Sequence, residues 1–237
     1  MCGRFTLAGT SPDKLRARVP LGESVEIRRR FNVAPGDEVL SVVVSHEGVT
    51  EGRLLRWGFV PPWAEDPSVG FKMINARADT VAEKPAYRDA FRRHRCLIVA
   101  DGFYEWQRDE PRGARTPFHI TRAGGEPFAF AGLRTAWRDP QGEWLRSCTI
   151  VTTQANDAIS SIHPRMPVIL SPDDERTWLD PATSPEHAQS LLQPLPVSDT
   201  RARAVSKAVN DARYDGPECL AEPVPEPVQD VLFGEEL

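Results

Sequence analysis

No stretch of this sequence approaches the roughly 18–20 consecutive apolar residues that a membrane-spanning helix needs. Its first residues, Met-Cys-Gly-Arg-Phe-Thr, contain no apolar signal region. The expectation is a soluble, cytoplasmic protein. Cysteine is sparse: Cys2, Cys96, Cys148 and Cys219 lie far apart, with no CxxC pair and no Cys/His cluster at zinc-ligand spacing. This argues against a disulfide framework and against a structural metal. Lysine is scarce too, so arginine supplies most of the positive charge, in the forked form that suits phosphate. GC-rich coding would give the same bias, and composition does not separate the two.

What is present is a chain of 237 residues, 40% of them hydrophobic, enough for one substantial core without a second domain. The net charge of −5 is unevenly spread. Residues 1–138 hold 22 Lys+Arg against 17 Asp+Glu, whereas residues 139–237 hold 7 against 17. Such asymmetry fits a basic face on an acidic protein. Residues 216–237 have four prolines and six acidic side chains but no basic one. They read as a disordered or loosely docked tail behind a single domain over residues 1–215.

Ser11-Pro12, Ser171-Pro172 and Ser184-Pro185 each place a capping hydroxyl before a proline suited to a first helical turn. Asp173, Asp174 and Glu175 then favour the positive end of a helix dipole. Residues 84–95 read as a further helix opened by Pro85. Short β-type runs fall at residues 38–45, 54–59, 96–100, 103–107, 128–133, 148–153 and 167–170. Many short strands with few helices predict an α+β fold around a mostly antiparallel, partly closed sheet.

Four short segments could carry chemistry. Cys2 follows the initiator Met, and so small a side chain permits removal of Met1. The resulting α-amine and thiol would form a 1,2-aminothiol, with ordinary pKa values of roughly 7.7–8.0 and 8.5. Such a pair condenses with an aldehyde, first to an imine and then to a thiazolidine, and an abasic site in DNA is a masked aldehyde. A free cysteine is also a common small core residue, and position alone does not separate the two. In residues 74–80, Ile-Asn-Ala-Arg-Ala-Asp-Thr, an extended backbone would put Asn75, Arg77 and Asp79 on one face and Ala76 and Ala78 on the other. A loop held by local Asn and Asp hydrogen bonds is the plainer alternative.

In Asp101-Gly102-Phe103-Tyr104-Glu105-Trp106, alternation sets Phe103 and Glu105 against Tyr104 and Trp106. A carboxyl among aromatics would be desolvated and raised toward a pKa useful for proton transfer; a surface Glu on an edge strand is the alternative. In Ser161-Ile162-His163-Pro164-Arg165-Met166-Pro167, Pro164 biases His163 toward an extended conformation. His163 could exchange protons near neutrality, or be structural.

Taken in order, these segments resemble the SOS-response-associated peptidase (SRAP) family. So do Phe31-Asn32-Val33-Ala34-Pro35, the run from Arg56 to Trp63, and Val205-Ser206 with Val209-Asn210. The likeness runs from residue 2 to about Glu218. It implies a reaction with no metal and no organic cofactor, in which the Cys2 aminothiol traps abasic sites in single-stranded DNA. By the same resemblance, Glu105 would move protons for imine formation, His163 would assist sugar ring opening and the reverse reaction, and Asn75 would orient the terminal amine. Arg4, Arg77 and Arg165 would bind phosphates. Asn32 would belong to the DNA-binding surface, and Pro35, Trp63 and Trp106 would face the bases. The implied partner is abasic single-stranded DNA, with the protein acting as a monomer away from membranes. A rival reading is an N-terminal-nucleophile amidohydrolase or self-processing peptidase, with the Cys2 thiolate attacking an amide. A third is a DNA-binding module without covalent chemistry.

Overall fold

The computed structural model describes residues 2–19, 27–109 and 114–224. Its elements run β1 (Arg4–Leu7), α1 (Pro12–Arg18), β2 (Arg30–Val33), β3 (Glu38–Val44), β4 (Thr50–Trp57), β5 (Asn75–Arg77), α2 (Pro85–Arg93), β6 (Arg95–Ala100) and β7 (Gly102–Asp109). There follow β8 (Ala114–Arg122), β9 (Phe128–Arg138), β10 (Trp144–Gln154), β11 (Arg165–Pro167), β12 (Ile169–Leu170), α3 (Pro172–Leu179), α4 (Pro185–Ser190) and β13 (Thr200–Ala204). Short 3-10 turns cover Pro67–Lys72, Val197–Asp199, Lys207–Asn210 and Pro217–Leu220. None of the described helices is long and apolar enough to cross a membrane.

One sheet has the order β13-β8-β7-β1-β2 and is antiparallel throughout. The other runs β11-β10-β4-β3-β6-β9-β12, and β9 also pairs with β10, from Arg138↔Trp144 to Gly132↔Ile150. That extra pairing closes β10-β4-β3-β6-β9 into a five-stranded barrel. The parallel pairings are β4 and β5 on β10. The predicted α+β class with a mostly antiparallel, partly closed sheet is the observed architecture.

Side-chain alternation explains the layering. Val39 and Val43 of β3, with Ile98 and Ala100 of β6, enter the core that also holds Phe5, Phe103 and Phe130. Leu40, Val42, Leu97 and Val99 point the other way, beneath Tyr87, Ala90 and Phe91 of α2 and Trp178 of α3. The three Ser-Pro signals all start helices. Ser11, Ser171 and Ser184 accept the backbone N–H three residues on, at 3.3, 3.2 and 3.2 Å.

Helix α2 stops at Arg93, short of the expected Arg95, because Arg95 opens the buried strand β6. Its guanidinium donates to the carbonyl oxygens of Phe91 (3.0 Å), Trp178 (2.7 Å) and Asp180 (2.7 Å), which satisfies an otherwise costly buried charge. Strands β9 and β10 extend well past their apolar runs, since the hairpin between them continues through polar, solvent-facing positions. Part of the segment read from sequence as a tail is folded onto the domain. Pro217–Leu220 forms a 3-10 turn, and Cys219 is buried against Tyr104, Val205 and Val209. Residues 225–237, the rest of the expected tail, lie outside the described residues.

Candidate active site

Strand β1 delivers Cys2 to the interior. It lies between β7 (Arg4↔Tyr104, Phe5↔Phe103) and β2 (Phe5↔Val33), and the Phe5 ring meets Trp57 and Phe130 at centroid distances of 5.2 and 5.7 Å. The far end of β1 is pinned by Asp101, whose carboxylate accepts Thr6 Oγ1 (2.6 Å), Ala8 N (2.7 Å) and Gly9 N (2.6 Å). Thr6 Oγ1 is also 3.1 Å from His119 Nε2, and burial drives that imidazole down to about 3, so it stays neutral. Gly102 is required here: a Cβ would fall 2.1 Å from His119 Nε2 and 2.9 Å from Thr6 Oγ1.

Cys2 is fully buried. Asn75 reaches it from β5, which β10 holds in register through Asn75↔Ile150. Its Nδ2 donates to the Cys2 carbonyl oxygen at 2.8 Å. The Asn75 Oδ1 is buried without a hydrogen-bond partner, an acceptor aimed into the site. Glu105 is 2% exposed, and burial pushes its carboxyl up to about 7. His163 Nδ1 lies 3.8 Å from Glu105 Oε1 and accepts the Arg165 backbone N–H at 3.1 Å. Burial lowers the His163 pKa. The Cys2 thiol is pushed well above its ordinary value, by burial first and then by the neighbouring Glu105 charge. A neutral thiol, a carboxyl that titrates near pH 7 and a neutral imidazole therefore meet in a shielded place. That set can relay protons.

Arg4, Arg165 and Trp106 lie next to this set, and Arg77 lies beside Arg165. Arg4 donates to Asn32 Oδ1 (3.0 Å) and to the Val209 carbonyl oxygen (2.9 Å). Arg77 is exposed and paired with Asp79 (Nε to Oδ1, 3.0 Å). Arg165 donates to the Thr152 carbonyl oxygen (3.2 Å) and to its hydroxyl. Trp106 Nε1 donates to Asn210 Oδ1 (2.7 Å), and the indole shares an open pocket of about 370 Å³ with Gly3, Arg4, Arg115 and Asn210. Trp63 is 68% exposed, and Pro35 is half-buried. Among the described residues no group of three or more His, Cys, Asp or Glu side chains could hold a metal ion.

Residues 1–212 match the model of the family described as SOS response associated peptidase (SRAP). The chain belongs to the SRAP family. It is 42% identical over 226 residues to the abasic site processing protein YoqW of Bacillus subtilis, covering 93% of this chain and 99% of that protein. It is 30% identical to the abasic site processing protein YedK of Escherichia coli, over 94% and 100% of the two chains. The Xenopus tropicalis abasic site processing protein HMCES is 35% identical over 70% of this chain and 56% of its own length. Among solved structures, a Bacteroides thetaiotaomicron protein superposes with a TM-score of 0.81 at 26% identity, over 94% of this chain and all of that one.

The SRAP motifs converge only in part as the sequence suggested. Cys2, Asn75, Glu105 and His163 come together, from the residues just before β1, from β5, from β7 and from the segment before β11. Arg77 faces solvent and Ala76 is buried, as strand β5 requires; the strand ends there, and Ala78 (buried) and Asp79 (exposed) lie in the turn that follows. Asn32 departs from its expected place on the DNA surface. It is 1% exposed, and its Nδ2 donates to the carbonyl oxygens of Val209 (3.2 Å), Asp211 (3.0 Å) and Tyr214 (2.8 Å). It ties the C-terminal segment to β2 and orients Arg4. Sequence reasoning passed over Thr6, Asp101 and His119, although Asp101 opens a motif already singled out. It also passed over Thr152, Asn210 and Arg115, which only the fold brings beside Arg165 and Trp106.

Proposed function

We propose that this protein traps abasic sites in single-stranded DNA covalently, as a cytoplasmic monomer whose mature chain begins at Cys2. The observation that carries the reading is the shielded cluster in which Asn75 holds the Cys2 backbone while Glu105, titrating near 7, stands beside His163. The open-chain aldehyde of the deoxyribose is attacked by the Cys2 α-amine to give a carbinolamine. Glu105 in its acid form protonates the departing hydroxyl, and water leaves to form the imine. The Cys2 thiol then adds to the imine carbon, its proton passing to the nitrogen through the Glu105 carboxylate. The net reaction joins aminothiol and aldehyde into a thiazolidine with loss of one water.

Asn75 Oδ1, buried and without a partner, would accept an N–H of the terminal amine or of the adduct. His163 would exchange the proton that opens the sugar ring and that later permits reversal. Arg4, Arg77 and Arg165 would meet phosphates on either side. Trp63, Trp106 and Pro35 would lie against bases, each stacked base contributing about 1–3 kcal/mol without sequence preference. Single-stranded DNA suits the site because its lesion is already unstacked. The relatives named abasic site processing proteins support this reading.

An amidohydrolase would need a thiolate, and burial holds the Cys2 thiol in its neutral form. Intact mass of the purified protein, before and after mixing with an abasic oligonucleotide, tests the proposal. The expected result is a chain lacking Met1 that gains the oligonucleotide mass minus one water. Equal crosslinking by a chain that keeps Met1 would refute the aminothiol mechanism.

A further inference from the structure

A cavity rich in arginine lies away from Cys2. Where β3 ends, β4 begins and α2 runs into β6, a cavity of about 420 Å³ is lined by Arg53, Arg92, Arg93, Arg95 and Arg134, with Glu51 as its one acidic side chain. Two of these arginines have nearby carboxylates: Arg53 meets Glu51 at 2.6 Å, and Arg93 lies 3.7 Å from Asp89. Arg95 holds helix-end carbonyl oxygens, and Arg92 and Arg134 have no carboxylate within ion-pair reach among the described residues.

Arg134 is the informative member. Its Nη2 donates to the Val44 carbonyl oxygen at 2.8 Å, while its Nε is buried with no hydrogen-bond partner. The backbone around it is fixed, because Arg134 N donates to His94 O (2.8 Å) and His94 N to Ala90 O (2.8 Å). A guanidinium so placed is desolvated above all; Arg53 and Arg146 repel it, and the Glu51 carboxylate offsets part of that repulsion. Like charges packed this way oppose one another unless an anion joins them. The last turn of α2 accounts for Arg92 and Arg93 as partners of its dipole. It does not account for Arg53 and Arg134, which come from the strands.

By strand register this cavity is separate from the Cys2 site. Glu51 is six residues along β4 from Trp57, roughly 20 Å at the usual strand rise, and Trp57 Nε1 holds the Ile74 carbonyl oxygen next to Asn75. Arg134 lies opposite Cys148, four residues, or about 14 Å, along β10 from the Thr152 that Arg165 touches.

We propose that the Arg53–Arg92–Arg134 cavity is a second anion site, which takes a phosphate group carried either by a polynucleotide beyond the lesion or by a free nucleotide. Forked guanidinium groups are the natural receptors for phosphate oxygens, and a phosphate would give Arg92 and Arg134 the direct ion-pair partner that neither has among the described residues. The site does not depend on aminothiol chemistry, so it can stand or fall independently of the function proposed for Cys2.

The test titrates the full-length protein, followed by amide NMR, with pyrophosphate, with deoxyadenosine monophosphate, and with two undamaged single-stranded oligonucleotides. One oligonucleotide only fills the Cys2 site, and the other is long enough to reach beyond it. Arg92→Glu, exposed on α2, and Arg134→Gln are compared with the parent, and adduct formation with a short abasic oligonucleotide is measured alongside. The expected result is that pyrophosphate shifts the Ser45, His94 and Arg134 amides, and that either substitution weakens its binding about tenfold, the scale of one lost charge-assisted hydrogen bond. Adduct formation on the short strand should be unchanged. A polynucleotide source predicts that only the longer oligonucleotide loses affinity and salt dependence in the variants. A nucleotide source predicts that the monophosphate loses affinity while both oligonucleotides do not. If none of the probes moves these amides, or if both variants bind them all as the parent does, the site does not exist.

Discussion

Replacing Glu105 by Gln offers a direct measure of how strongly the site is shielded. The carboxyl is raised by burial from 4.5 to about 7. An acid whose folded pKa is raised stabilises the fold fully below its unfolded pKa, and that contribution is lost as pH rises through the folded value. The window is therefore about 4.5 to 7. At 1.36 kcal/mol per unit, the full shift corresponds to roughly 3 kcal/mol, of which some 2–3 kcal/mol falls between pH 5 and pH 8. Gln keeps the shape of the side chain and does not ionise. Glu105→Gln should thus be close to the parent in stability at pH 5 and more stable by about 2–3 kcal/mol at pH 8. Urea unfolding midpoints at the two pH values, with the slope held constant, provide the comparison. A stability difference that is the same at both pH values would refute the raised carboxyl, and with it the proton relay assigned to Glu105.

Cys2→Ala should abolish the stable adduct while leaving affinity for undamaged strands near that of the parent, as read by denaturing gels and by fluorescence anisotropy. Arg77→Ala should weaken single-strand binding and lower the salt slope by about 0.7, the share of one phosphate contact; an unchanged slope would mean that Arg77 does not touch the backbone. Asn32→Ala should cost on the order of 2–3 kcal/mol by leaving buried carbonyl oxygens unpaired and taking from Arg4 one of its two acceptors, and should reduce DNA binding only through Arg4. Truncation after Asp215 should destabilise the protein by about 1–3 kcal/mol, because it removes Cys219 from beside Tyr104 and Val205. Truncation after Val224 retains those contacts, and equal loss in both truncations would contradict this account of the C-terminal segment.

Local order was legible wherever a residue's neighbours along the chain set its environment. The Ser-Pro helix starts, the alternation that buries Ala76 beneath Arg77, and the continuous apolar run of β6 follow from capping chemistry, a strand period of two and a strand covered on both faces. The resemblance of its ordered motifs to the SRAP family likewise singled out Cys2, Asn75, Glu105 and His163 as candidates, and the fold brings these four side chains together. Tertiary structure decided which side chains could still meet a substrate. Asn32 looks like a surface amide in sequence, yet strand β2 places it beneath residues 209–214, where carbonyl oxygens more than 170 positions away use its hydrogens. Asp101 and His119 are ordinary polar residues until β1, β7 and β8 align and they meet at Thr6. Arg134 is one arginine among many until barrel closure sets it beside Arg53 and Arg92. In each case a hydrogen-bond partner or a neighbouring charge comes from a distant strand, and strand pairing is a long-range choice that local propensity does not encode.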